Sequence, residues 1–159
     1  MGAGPSRECG VRKMTEDRIN EKNLIEKLRE AFPELEHRYR ERVDDYKGER
    51  VPSNYTVVGF VLQPQLEEEV AKGERSDFLR RAALFIERVC SSGDPEAINV
   101  IWIKIFEWLI FRPKELRVMW PILGPATKEN IKDAASRWSK AGRHFGHIQG
   151  MPDENLPKE

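Results

Sequence analysis

Cysteine is scarce: the 159-residue chain has two, Cys9 and Cys90. They are too few and too far apart for a disulfide framework, so the expected setting is a reducing cytoplasm. Net charge is missing too, because 27 lysines and arginines balance 27 aspartates and glutamates. No overall field draws the molecule to nucleic acid or to an anionic membrane, and a charge-driven partner has to read a local patch. The first twenty residues, MGAGPSRECGVRKMTEDRIN, lack the apolar core of a secretory signal. No Gly-rich phosphate loop, GxSxG or HExxH occurs, and no Ser, Cys and His grouping has the form of a nucleophile with base and orienter. The expectation is therefore a protein that is not an enzyme and carries no cofactor. His144 and His147 stand three apart, but zinc needs a matching cysteine or histidine pair elsewhere and a di-metal bundle needs Glu-x-x-His pairs. Both are wanting, so no metal is expected.

What is present suits one domain with its own core. Residues 1–18 are expected to be a disordered leader, with Met14 as an alternative start. Residues 19–148 form the domain and 149–159 a flexible tail. Breakers divide the domain into helix-length pieces. Asn20 can cap a helix to about Phe32 carrying Leu24, Leu28, Ala31 and Leu35 on one stripe, and Pro33 suits the first turn of a second helix with Leu35, Tyr39, Val43 and Tyr46 inward. The stretch from Asn54 to Gly73 is ambiguous, since TVVGFVL has strand composition and Gly59 and Pro64 lie within it. With no second strand to pair its backbone, a helix bent near Pro64 is expected. Ser76 to Ser92 reads as a helix, and SSGDP supplies its glycine stop, the Asp94 cap and Pro95 at the first position of the next. Pro113 starts a short helix to Met119, WPILGP breaks it, and a last helix from about Ala126 to Arg143 turns Ile131, Ala134 and Trp138 inward. The fold expected is all-α: a single bundle of six or seven helices with HEAT-like hairpin packing.

The most apolar piece is NVIWIKIFEWLIF, Asn99 to Phe111. It is too short to cross a membrane: its 13 residues rise only about 20 Å against a hydrocarbon core of about 30 Å. As a strand it would put Lys104 and Glu107 on opposite faces. As a helix it gathers Glu96, Lys104, Glu107 and Lys114 into one narrow sector and leaves the rest apolar, which describes a central helix. Lys104 and Glu107 would then form an i,i+3 ion pair worth about 0.2–0.5 kcal/mol.

Several polar groups are candidates for contact with a partner. Glu87 and Glu107 each follow two large apolar residues on consecutive helices and can meet across the hairpin, as structural or partner-binding acids. Glu67, Glu68 and Glu69 form an acidic run, and Glu34, Glu36, Glu41, Asp44 and Asp45 an acidic group. Lys128, Lys132, Lys140 and Arg143, with Arg137, make the last helix basic. That helix could offer a surface to nucleic acid, although its aromatics, Trp138 and Phe145, belong to the apolar stripe.

Phe85-Ile86-Glu87, Gly93-Asp94, Asn99-Val100, Glu107-Trp108-Leu109 and Leu123-Gly124-Pro125-Ala126-Thr127-Lys128 together resemble an uncharacterised family of small bacterial all-helical proteins, over about Pro33 to Lys128. Trp102, Trp108 and Trp120 are heavier than that pattern. Such proteins are similar to the immunity partners of bacterial polymorphic toxins. The resemblance implies a stoichiometric protein-binding inhibitor with a toxin as partner and no active site.

Overall fold

The computed structural model describes residues 18–140 and 148. The expectations of a leader and a tail fall almost wholly outside the described residues, as do Cys9, Ala141, Arg143, His144, Phe145 and His147. The chain enters through a reciprocally bonded turn: Asn20 Oδ1 accepts from the amides of Lys22 and Asn23, while Asn23 Oδ1 accepts from Asn20 N–H at 2.7 Å. This is an asparagine version of a capping box, and α1 (Leu24–Ala31) follows it. A 3-10 turn over Pro33–Leu35 leads into α2 (Glu36–Asp45), which has no fully buried residue. Leu35 is buried as expected, but Tyr39, Val43 and Tyr46 are only half-buried, so α2 lies on the outside of the bundle.

The ambiguous stretch is helical. Helix α3 (54–71) runs as α-helix over Asn54–Val57, as π-helix over Val58–Leu62 and as α-helix again over Gln63–Ala71. The irregularity beside Pro64 is this π segment. Pro64 has no N–H to give to Phe60, and the wider turn, closed by Gln63 N–H on the carbonyl of Val58, carries the chain past it. Ser53 caps the start and Gly73, at φ +75°, ends it.

Helix α4 (Asp77–Ser91) is capped by the Ser76 hydroxyl, which accepts from Leu79 N–H at 3.2 Å. Gly93 at φ +81° then turns the chain, and Asp94 caps α5 by accepting from Glu96 N–H. The other oxygen of Asp94 accepts from Glu21 N–H at 2.7 Å, tying the entry turn to α5. Helix α5 (95–110) again contains a π segment, Trp102–Phe106, between Pro95–Ile101 and Glu107–Ile110. Helix α6 (Pro113–Met119), a 3-10 turn over Trp120–Ile122 and α7 (Pro125–Lys140) complete seven helices, with no strand among the described residues.

Helix α4 packs against α1, α3, α5 and α7, and α5 against α3, α4, α6 and α7. The central position expected for α5 is thus shared with α4. Phe78, Leu79, Ala82, Phe85, Ile86 and Val89 of α4 are all buried, as their spacing requires. Phe32 anchors this core, its ring 5.2 Å from Phe78 and 5.6 Å, edge-on, from Phe85. Beside it Arg81 ties α4 to α1 and to the 3-10 turn. It donates to the carbonyl of Ala31 at 2.8 Å and to Glu34 Oε1 at 3.0 Å, with a second, shorter bond to Glu34 Oε2.

Two measurements check this packing. Phe32→Ala should cost about 3–5 kcal/mol of unfolding free energy in urea titrations, while Leu84→Ala, on the solvent side of α4, should stay within about 0.5 kcal/mol. The Arg81 hydrogen bonds hold the Glu34 carboxyl below its ordinary pKa. A depressed folded-state pKa stabilises the fold above the unfolded-state value, and that contribution is lost as pH falls through the folded-state value. Glu34→Gln should therefore flatten the acid side of the stability profile, with little effect on its slope above neutrality.

Candidate functional site

Glu87 occupies the best-defined polar position in the bundle. It projects from α4 to the start of α7, where the backbone leaves two amides without helical partners. Gly124 holds the N-cap position there, its carbonyl accepting from Lys128 N–H at 3.0 Å. A glycine has no side chain with which to cap, so the cap comes from another helix. Glu87 Oε2 accepts from Ala126 N–H at 3.1 Å, and Oε1 from Thr127 N–H at 2.9 Å and from the Thr127 hydroxyl at 2.7 Å. Glycine is also what admits it, since a Cβ at Gly124 would lie 2.3 Å from Glu87 Cδ. Pro125 costs nothing at the first helical position, and the negative charge sits at the positive end of the α7 dipole. Cys90, one turn further along α4, is buried, and that burial pushes its thiol up to about 12.

Glu107 does not share this arrangement. Both Glu87 oxygens are bound to α7, and Glu107, half-buried, makes no hydrogen bond or ion pair with the described residues. The expected Lys104–Glu107 ion pair is also missing. The π turn over Trp102–Phe106 alters the angular step between the two positions, and the Lys104 stem instead lies across Gly59 of α3. A Cβ at Gly59 would stand 3.2 Å from Lys104 Cδ and 3.3 Å from Cε. The two π segments thus meet at a glycine, and Lys104 ends without a hydrogen bond or ion pair among the described residues. On either side of this contact, Phe60 is 55% and Ile103 44% exposed.

Helix α2 closes on the other side of the first π segment, and a groove of roughly 600 Å³ lies between them, lined by Arg38, Glu41, Arg42, Asp44, Asp45, Phe60 and Pro64. Its cations are engaged internally. Arg42 stacks on the Phe60 ring at 4.1 Å and pairs with Asp45 at 3.2 Å, while Arg38 pairs with Glu68 at 3.2 Å. Glu41 and Asp44 are exposed and make no ion pair with the described residues.

The remaining candidates are distributed differently. Glu67 is exposed; Glu69 is half-buried and held by Lys72 at 2.6 Å, whose hydrogen bond lowers the Glu69 pKa. Glu36 binds Arg29 and Arg40, and Glu34 binds Arg81. The lysines of the last helix differ in exposure, and Lys128 and Lys132 line one groove. Lys128 is buried, with Nζ 5.3 Å from the centre of the Trp120 ring, Lys132 is half-buried and Lys140 exposed. Arg137 lies over the Trp102 ring at 4.7 Å, while Trp102 Nε1–H donates to Asn130. The α7 surface groove alternates sign along Lys128, Glu129, Lys132 and Asp133. No group of three or more His, Cys, Asp or Glu is placed to hold a metal among the described residues, and no helix among them is long and apolar enough to cross a membrane.

Two features escaped the reading of the sequence. The Glu87 cap had a faint signal, a helix start, Gly-Pro-Ala-Thr, with no side chain able to cap it. The π segment of α3 had another in Gly59 and Pro64; no single residue accounts for the π segment of α5. Residues 25–139 match the model of a family described as Domain of unknown function (DUF7674), and the chain belongs to it. The match takes in Glu87, the Leu123–Lys128 phrase and both π segments. No curated protein and no solved structure matches the chain.

The geometry predicts a coupled double-mutant cycle. Glu87→Ala and Gly124→Ala should each destabilise by about 1–3 kcal/mol, the first by stripping the cap and the second by expelling the carboxylate. Together they should cost at least about 1 kcal/mol less than the sum, because the added methyl group no longer meets a carboxylate. Additive denaturation free energies would show that the two residues are not in contact.

Proposed function

We propose that this member of the family is a non-enzymatic bacterial protein-binding domain of the cytoplasm whose working face is formed by α2, α3 and α5. Its specific form is an immunity protein that neutralises a toxin by covering it. One observation carries the reading: Phe60 and Ile103 stand exposed where two helices are locally unwound, beside a lysine seated on glycine with no counter-charge among the described residues. Exposed large apolar side chains next to unspent polar groups are what a contact surface needs, with an aromatic as its energetic anchor. π segments also occur preferentially at functional sites.

The electrostatics support the same reading. Arg29, Glu34, Glu36, Glu69, Lys72 and Arg81 owe their displaced pKa values first to hydrogen-bonded ion pairs on the surface, and Cys90 owes its own to burial. Ion pairs of this kind perturb pKa values for structural reasons, and Cys90 lies in the packed core. An inhibitor that works by shape and charge complementarity requires only a rigid scaffold and a face. The alternative partner, nucleic acid read by the last helix, gains less support, because Lys128 is buried against Trp120.

Affinity capture with the full-length protein from its native cell extract separates these readings. A one-to-one protein partner should be recovered by the wild type and by Lys132→Glu/Lys140→Glu, and lost with Phe60→Asp/Ile103→Asp, whose helical circular dichroism should match the wild type. Retention on DNA or RNA at low salt that disappears in Lys132→Glu/Lys140→Glu would overturn the proposal, as would a partner indifferent to the Phe60 and Ile103 changes.

A further inference from the structure

The groove between α2 and α3 carries more chemical information than the rest of the face. Three carboxylates, Glu41, Asp44 and Asp45, share it with two guanidiniums, those of Arg38 and Arg42. Arg42 is turned inward onto Phe60 and Asp45, and Arg38 onto Glu68. The charge left facing solvent belongs to Glu41 and Asp44, in a groove whose wall is Pro64 and a half-exposed aromatic ring. We infer that this groove docks a cationic protein segment, in which lysine or arginine faces Glu41 and Asp44 and an aliphatic or aromatic side chain packs on Phe60.

Charge complementarity selects this occupant. An acidic segment would meet two unneutralised carboxylates, since both arginines are already paired, whereas a cationic one gains attraction without breaking an existing pair. Nucleic acid is disfavoured for the same reason, because its phosphates would face Glu41 and Asp44. The Phe60 ring is held by Arg42 at 4.1 Å, so it offers the incoming side chain a face already fixed in place. Helix α2 buries no residue fully, so charge reversal at its exposed positions alters the groove without opening the core. The inference rests on the protein-binding reading and adds the partner's chemistry and its seat.

Three short synthetic peptides of equal length serve as probes: lysine and arginine around a central Leu-Trp pair, the same sequence with glutamate for each cation, and the cationic one with Ser-Ser at its centre. With the full-length protein, the first should bind with an affinity that falls as salt rises, and its backbone-amide NMR shifts should cluster on α2 and residues 58–64. Glu41→Lys/Asp44→Lys should weaken it about tenfold, Phe60→Ala by about fivefold or more, and Asp133→Lys on α7 not at all. The glutamate peptide and the Ser-Ser peptide should bind far more weakly. Equal binding of the glutamate peptide, shifts centred elsewhere, no binding of the first peptide, or insensitivity to the α2 reversals would overturn the inference. If those results accompany a captured partner that still needs Phe60 and Ile103, the protein-binding reading stands and only the cationic docking falls. If the peptide binds as expected and no partner is captured, the groove's docking of a cationic segment stands and the one-to-one immunity form of the reading falls.

Discussion

The bundle is closed by a carboxylate that caps a helix it does not belong to. Glu87 leaves α4, passes the missing side chain of Gly124 and takes up the free amides of Ala126 and Thr127. Helix α7 has no cap of its own, so its first turn depends on α4, and packing the two helices together completes it. The interaction has strict local requirements. A substituent at residue 124 would occupy the space the carboxylate needs, and Thr127 contributes its hydroxyl as well as its amide. The Glu87 and Leu123–Lys128 phrases, nearly forty residues apart in the chain, are therefore two halves of one contact.

With α7 fixed to α4, the two sides of the bundle have different characters. Around α7 four polar groups are engaged internally, Glu87 by the α7 amides, Trp102 of α5 by Asn130, and Arg137 and Lys128 by aromatic faces, while Glu129 and Asp133 are exposed. On the α2–α3–α5 side the helices are distorted and groups are left over. Two π segments touch through Gly59 and Lys104, Phe60 and Ile103 face outward, and Glu41 and Asp44 have no ion pair among the described residues. A π turn inserts a residue without breaking the helix, so it redirects side chains while keeping the rod that carries them. That difference is why the second face, rather than the acids of the helical hairpin, is assigned the contact with a partner.

Helix boundaries set by backbone chemistry were legible from sequence. Ser76, Gly93, Asp94 and Pro113 act where caps and breakers must act, because the orphan amides and carbonyls at a helix end constrain the residues beside it. The buried stripe of α4 was legible for the same reason of fixed period. Lys104 and Glu107 were not, because an i,i+3 pair needs about 100° per residue throughout and a π turn breaks that period. The sequence singles out Glu87 and leaves its partner open. Its partners are backbone amides, which no side-chain pattern records. Lys128 was counted among surface charges, although contact with Trp120, fixed only by tertiary packing, buries it.

Hydrogen exchange at the amides of Ala126 and Thr127 tests the central claim most directly, because those are the atoms the carboxylate holds. The structure predicts that both exchange as slowly as the buried amides of α4 in the wild type. In Glu87→Ala both should become fast, while protection across α2 and α3 is unchanged. Rapid exchange of both amides in the wild type, as in the open first turn of an uncapped helix, would contradict the claim that Glu87 closes the bundle.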